Sequence, residues 1–225
     1  MTQEFEAWAK AYVSFSQDQM WPNETLIRLF KGKYVTNLSK DFKNKTVLDI
    51  GFGNGNNLIF LKSLGLNISG TEVHPDICKL VTDKLKTMNF QSNLKVGTNK
   101  NLPFEDNQFD FLVSWNVIHY EKSEQDMMSA IKEYARVLKP NGRMFLSTTG
   151  PTHSILQNAK TLGNHLYQIG REDDFRKGEI YFYFDNPDYI RFYFSKAFKD
   201  IQIGRIDDDL FSQKLDSFLV TATKL

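Results

Sequence analysis

The chain of 225 residues contains one cysteine, Cys78, six prolines, four histidines and no surplus of either charge. A lone cysteine excludes a disulfide framework and a cysteine-based metal centre, and its place in an apolar helical stripe makes it core filler. With 28 Lys and Arg against 27 Asp and Glu, and no long run of one sign, the net charge is +1. That balance lacks the basic footprint of a nucleic-acid binder, so a small, weakly charged substrate is expected and no nucleic-acid partner. No stretch approaches the ~20 apolar residues of a membrane span, and Met1-Thr2-Gln3-Glu4 lacks the basic-then-apolar pattern of an export signal. The expectations are a soluble cytoplasmic protein with no membrane partner, monomeric or homodimeric. There is no internal repeat and no low-complexity segment, and the length suits one domain.

Against these absences stands the stretch Val47-Leu48-Asp49-Ile50-Gly51-Phe52-Gly53-Asn54-Gly55-Asn56-Asn57. Residues 47–50 are mostly apolar and alternate poorly, the pattern of a strand buried on both faces in a parallel sheet. Gly51, Gly53 and Gly55 follow at alternate positions, where a missing Cβ permits unusual dihedrals and close approach to the main chain. Asn56 or Asn57 is expected to cap the next helix, which Leu58, Ile59, Leu61 and Leu64 continue. A second strand over residues 66–72 ends in Glu72, 21 residues after Gly51, near the ~20-residue spacing at which an acidic side chain meets the ribose hydroxyls of a bound nucleotide.

The Asp-x-Gly-x-Gly-x-Gly loop with that second-strand acid resembles the cofactor loop of class I S-adenosylmethionine (SAM) dependent methyltransferases, and the likeness runs in order from about residue 45 to 151. Arg136-Val137-Leu138-Lys139-Pro140-Asn141-Gly142 resembles the family's turn from helix to fifth strand. The resemblance implies an α/β fold with a doubly wound, mostly parallel seven-stranded sheet, a single domain over residues 1–225. Its parts would be an N-terminal helical cap (1–44), a SAM-binding core (45–150), a substrate or lid insertion (151–198) and closing strands (199–225). The implied cofactor is SAM, with S-adenosylhomocysteine as product.

For that cofactor the resemblance points to Asp49, Gly51, Phe52, Gly53, Asn54, Gly55, Asn57, Glu72 and Val73. Thr98 and Asn99, with Lys100 following, stand where the family has Gly-Asp-Ala, which puts the usual adenine contact in question. Trp115 and Asn116 after the fourth strand, and Trp21 at the cofactor edge, complete the set. Phe5, Trp8, Tyr12 and Phe15 recur at helical spacing and form an aromatic face that packs in the core or covers the cofactor. Trp21-Pro22 then breaks the chain before a helix through Leu26, Ile27, Leu29 and Phe30, with proline near its first turn.

Further elements are expected as strands over 94–98, 109–114 and 143–149, a helix through Ile77, Val81 and Leu85 led by Pro75, and one through Met127, Ile131 and Tyr134. After Gly150 the reading is a helix over 152–169, a strand over 179–184, a helix over 188–198 and an antiparallel pair over 201–206 and 218–223. Asp207-Asp208-Asp209 reads as a solvated loop without a metal, since no partner ligand is spaced nearby. Aromatic residues make up 14% of the chain and concentrate after Phe175, as an apolar pocket would require.

Methyl transfer from a sulfonium asks the protein mainly to align a nucleophile and exclude water. His119, after the fourth strand, is the candidate base, since imidazole titrates near neutrality; packing against the cofactor is its alternative role. Tyr120 is a second candidate. His153, Arg176 and Tyr183 are candidates for holding a small-molecule acceptor, a sugar, sugar nucleotide or phosphorylated metabolite methylated on oxygen. N- or C-methylation and a non-catalytic SAM-binding module remain alternatives. A nicotinamide dehydrogenase is disfavoured because Asn56 breaks Gly-x-Gly-x-x-Gly, and a base-modifying DNA methyltransferase because Ser114-Trp115-Asn116-Val117 lacks its Pro-Pro-aromatic motif.

Overall fold

Residues 3–15 and 21–225 are described in a computed structural model. Helix α1 (Gln3–Phe15) carries Phe5, Trp8 and Tyr12 toward the rest of the chain; the Phe15 side chain lies outside the described residues. In α2 (Glu24–Lys31) the cap is Asn23, whose Oδ1 accepts from the Thr25 and Leu26 amides at 3.0 and 3.2 Å. Pro22 therefore stands before the cap and not in the first turn.

The chain then alternates: β1 (Thr46–Ile50), α3 (Asn56–Ser63), β2 (Asn67–Glu72), α4 (Pro75–Thr87), β3 (Ser92–Val96), β4 (Phe109–Trp115), α5 (Glu124–Val137) and β5 (Leu138–Thr149). The third strand begins and ends two residues earlier than expected. Helix α3 is capped by Gly55 at φ +75°, with no side-chain cap bond. The expected asparagine caps face elsewhere: Asn57 Oδ1 accepts from the Asn23 amide at 3.0 Å and Asn56 Oδ1 from Lys84 at 3.0 Å.

Beyond β5 come β6 (Lys160–Gly163), β7 (Leu166–Gln168), β8 (Ile180–Phe182), α6 (Pro187–Phe194), β9 (Phe198–Leu210) and β10 (Gln213–Lys224). The helix expected over 152–169 is absent; a 3-10 turn at Ser154–Leu156 and the β6–β7 hairpin replace it. The cause is local. Asn158, Asn164, His165 and Gly163 all take positive φ, which a right-handed helix cannot absorb, and asparagine and glycine tolerate that region best. Asp207, Asp208 and Asp209 are likewise no loop. They lie in β9, the edge strand of the main sheet, where exposed charge discourages pairing with another chain.

The main sheet has the order β3-β2-β1-β4-β5-β10-β9, with β10 antiparallel to both neighbours and the first five strands parallel; β6, β7 and β8 form a separate antiparallel sheet. Consecutive strand residues feed opposite cores, as a pleat with period two requires. Leu48, Leu112 and Leu146 pack with Met127, Ile131 and Tyr134 of α5 and Phe194 of α6. Val47, Val113 and Phe145 pack with Phe30 of α2, Leu58 of α3 and Val81 of α4. Burial on both faces is what the poor alternation in residues 47–50 signalled.

A buried carboxylate fastens the segment after β5 to the closing strands. Asp216 is fully buried and accepts from the Thr152 amide at 2.8 Å, the Thr152 hydroxyl at 2.7 Å and Arg205 at 2.7 and 2.9 Å. Burial alone would raise its pKa, but Arg205 and Thr152 hold it below the usual carboxylate value. We predict that Asp216→Ala lowers unfolding free energy by about 2–4 kcal/mol in urea titrations. Because the folded pKa is depressed, the wild-type advantage is complete above the unfolded value near 3.8 and shrinks as pH falls through the folded one. A gap that stays constant down to about pH 2 would contradict this assignment.

Candidate active site

At the carboxyl ends of β1, β2 and β4 the chain encloses a cavity of about 440 Å³, where open α/β sheets bind ligands. Its floor is the turn after β1. Gly51, Gly53 and Gly55 take φ of +63°, +52° and +75°, and a Cβ on each would meet Val117 at 2.5 Å, the Tyr12 ring at 2.8 Å and Val81 at 2.5 Å. Gly51 and Gly55 are thus required by packing within the protein. Gly53 alone lies beneath an aromatic ring of α1.

Glu72, 6% exposed, closes β2 and receives the Gly53 amide at 3.0 Å and the Val73 amide at 2.8 Å on its two oxygens. Burial raises its pKa while both amides oppose the rise. Asp49, 1% exposed, lies behind the turn with Oδ2 lacking any hydrogen-bond partner. Burial first, and Glu72 second, push its pKa well above the carboxylate range. Two buried carboxylates flank one loop, and neither is neutralised by a cation in the ion pairs of the described residues. Such a site favours a ligand that brings positive charge with it.

Of the residues expected at a cofactor, Gly51, Glu72, Val73, Thr98, Asn99, Lys100, Trp115 and Asn116 line the cavity. The Asn99 side chain is engaged in a buried network: it donates to Glu121 at 2.9 Å and accepts from the Tyr134 hydroxyl at 2.7 Å, which also bonds Ser114 at 2.9 Å. Thr98 is left as the side chain of that turn facing the cavity, held by a bridge to Asn101. Lys100 pairs with Asp126 at 2.7 Å. Asn116, at φ +59°, exchanges bonds with Ser147. Phe52 packs under the loop against Gly70, the Asn54 carbonyl accepts from Lys84 at 3.0 Å, and Asn57 braces α2. Trp21 is 77% exposed and does not line the cavity.

Tyr120 lines the cavity and joins it to an aromatic cluster. Its ring meets Trp8 at 5.3 Å, His119 at 4.5 Å and Tyr181 at 4.9 Å; His119 in turn meets Tyr183 at 5.4 Å. Arg176 donates to the Tyr120 hydroxyl at 3.3 Å and pairs with Asp174 at 2.7 Å. His119 is 3% exposed, 3.4 Å from the Thr149 hydroxyl. Burial, helped by Arg176 and His153, lowers its pKa to about 3, so the imidazole is neutral at physiological pH and a weak base. His153 Nδ1 accepts from the Ile155 amide at 3.0 Å and caps a turn. Glu121, Lys122 and Asp126 also line the cavity and were not legible beforehand, since no spacing rule marks them. Among the described residues no cluster of metal-ligating side chains exists.

Residues 48–146 match the family model described as a methyltransferase domain. The human probable tRNA methyltransferase 9B is 32% identical over 60% of this chain and 26% of its own length. The ubiquinone/menaquinone biosynthesis C-methyltransferase UbiE of Rickettsia bellii is 29% identical over 65% of this chain and 57% of its own. The chain thus spans about a quarter of the first relative and little more than half of the second. A SAM-dependent methyltransferase structure from Methanosarcina mazei superposes with TM-score 0.67 at 19% identity, covering 91% of this chain and 99% of that one, a likeness of fold.

Because ionised Asp49 is costly in the ligand-free protein, we predict that Asp49→Asn raises its melting temperature at about pH 8 by about 2–4 °C per ~1 kcal/mol of relieved desolvation. A folded pKa raised above the unfolded value favours the protonated fold, so the difference narrows toward about pH 4. A variant that melts lower at about pH 8 would refute the unpaired charge.

Proposed function

We propose that the chain, whose residues 48–146 match a methyltransferase domain, is a class I methyltransferase that moves a methyl group from SAM to a small-molecule acceptor. SAM, when bound, supplies both the electrophilic methyl and its leaving group. The observation that carries the reading is the buried carboxylate pair at the glycine loop: Glu72, oriented by two amides, lines the cavity at the strand ends, and Asp49, with one oxygen that accepts no hydrogen bond, stands behind the loop. A sulfonium and an ammonium group answer that unpaired negative charge, and a diol answers the remaining lone pairs of Glu72. Thr98 and Val117 supply the wall for a base, and Tyr12 and Trp8 cover the loop.

His119 belongs to the acceptor side. A neutral imidazole can accept a hydrogen bond from the acceptor, but its depressed pKa gives little driving force for removing a hydroxyl proton. The arrangement therefore favours an acceptor that arrives as a nucleophile over a sugar hydroxyl needing a strong base. Of the cations among the described residues that line the cavity, Lys100 and Lys122 are paired with Asp126 and Glu4, which disfavours a polyanionic acceptor such as RNA.

Incubating the protein with methyl-labelled SAM and separate pools of small metabolites and bulk tRNA tests the reading by S-adenosylhomocysteine formation. Turnover confined to tRNA would refute the small-molecule acceptor, and none with any pool would favour a binding module. Glu72→Ala should weaken SAM binding by about 100-fold, two charge-assisted hydrogen bonds' worth, with far-UV circular dichroism unchanged; unaltered affinity by calorimetry would sink the assignment. With about 3 as the His119 pKa, the rate should show no inflection from that group between about pH 6 and pH 9. A rise centred near 6.5 that vanishes in His119→Gln would contradict a neutral imidazole.

A further inference from the structure

Two tyrosines behind the cavity wall are left with unanswered hydroxyls. Tyr181 and Tyr183 are 0% and 1% exposed, and neither phenolic oxygen has a hydrogen-bond partner. An unpaired buried hydroxyl is costly, and a core with only packing to satisfy would carry phenylalanine at both positions. Separated by two residues along β8 and its continuation, they project to one face. That face meets Tyr120, which lines the cavity, and Tyr120 accepts from Arg176 and so keeps its own proton to give.

We infer that Tyr120, Tyr181, Tyr183 and Arg176 form the acceptor subsite and hold an oxyanion of the acceptor, a phosphate ester or a carboxylate. This rests on the methyltransferase reading above. The set presents hydrogens: guanidinium N–H groups, which can only donate, and three phenols. Burial raises the pKa of Tyr181 and Tyr183 far above the usual value, so both stay protonated donors, and the Arg176 charge acts on both. Asp174 fixes the guanidinium with two bonds of 2.7 Å and leaves its edge toward Tyr120. A positive ligand group would face Arg176 directly, which disfavours a cation at this position. His119, against both Tyr120 and Tyr183, borders the oxyanion subsite.

The test uses the full chain saturated with S-adenosylhomocysteine, titrated by calorimetry with inorganic phosphate and with acetate in chloride buffer of constant ionic strength. Binding of phosphate alone marks a phosphate ester, and binding of acetate marks a carboxylate; either supports the subsite. Tyr181→Phe and Tyr183→Phe should each weaken that binding about tenfold, while S-adenosylhomocysteine affinity holds and the ligand-free melting temperature stays level or rises. Absence of binding by either oxyanion, equal binding by the double variant, or a lower melting temperature in both single variants overturns the inference. Failure of S-adenosylhomocysteine itself to bind is a separate result, which removes the proposed function and the subsite with it.

Discussion

The register of β1 against β2 is the constraint on which the site depends. The two strands run parallel with Ile50 beside Thr71, so the residue after each strand end emerges at the same level. The Gly51 amide then bonds the Thr71 carbonyl at 2.8 Å, and one residue on, the Glu72 carboxylate reaches the Gly53 amide. A shift of one residue would send Glu72 to the other face of the sheet. Gly70 protects the register from the side, because a Cβ there would strike the Phe52 ring at 2.5 Å. A glycine within the strand and a phenylalanine within the loop are thus one packing solution.

Desolvation then sorts the polar groups. Most buried polar side chains in this fold are answered locally: Asp216 by Thr152 and Arg205, Asn99 by Glu121 and Tyr134, Ser147 by Asn116. The unanswered oxygens include Thr148 Oγ1 and Thr221 Oγ1 in β5 and β10, which do not line the cavity, and Asp49 Oδ2, Thr71 Oγ1 and the Tyr181 and Tyr183 hydroxyls, near the cavity and its aromatic wall. Asp49 and Thr71 are on the glycine-loop side, and the two tyrosines beyond Tyr120. A bare carboxylate and two bare phenols are costly to bury, and such cost is expected where a ligand answers it.

How far the residues alone could lead follows from where the information is local. The β–turn–β core is specified by short-range signals: an apolar run, glycines, an acid about one βα unit later, prolines at helix starts. Strands β1, β2, β4 and β5 and helices α4 and α5 were therefore legible, as was the antiparallel closing pair. The segment after Gly150 was not, because its apolar residues Ile155, Leu166 and Ile169 mimic helical spacing while the turn is decided by positive φ at Asn158, Asn164 and His165. At the site, glycine and acid positions were readable. The engagement of Asn99 by Glu121 and Tyr134, and the neutrality of His119, depend on contacts across 22 and 35 residues and on burial, neither of which a motif records.

Trp8 gives the two halves of the site a common wall. It stacks on Tyr12 at 5.8 Å, whose ring stands over Gly53, and it meets Tyr120 at 5.3 Å and Phe175 at 4.9 Å, with Arg176 within 6.0 Å of its face. The ring thus joins Tyr12, over the glycine loop, to the aromatic cluster around Tyr120. A tryptophan suits the place, because it spans both without a charge that would disturb either the cradle's negative field or the guanidinium opposite. Helix α1 is further tied at Glu4 to Lys122, which reaches Glu179 near β8 at 3.3 Å. The aromatic spacing in the first helix is therefore the packing of a shared partition, and the concentration of aromatics after Phe175 is its other half.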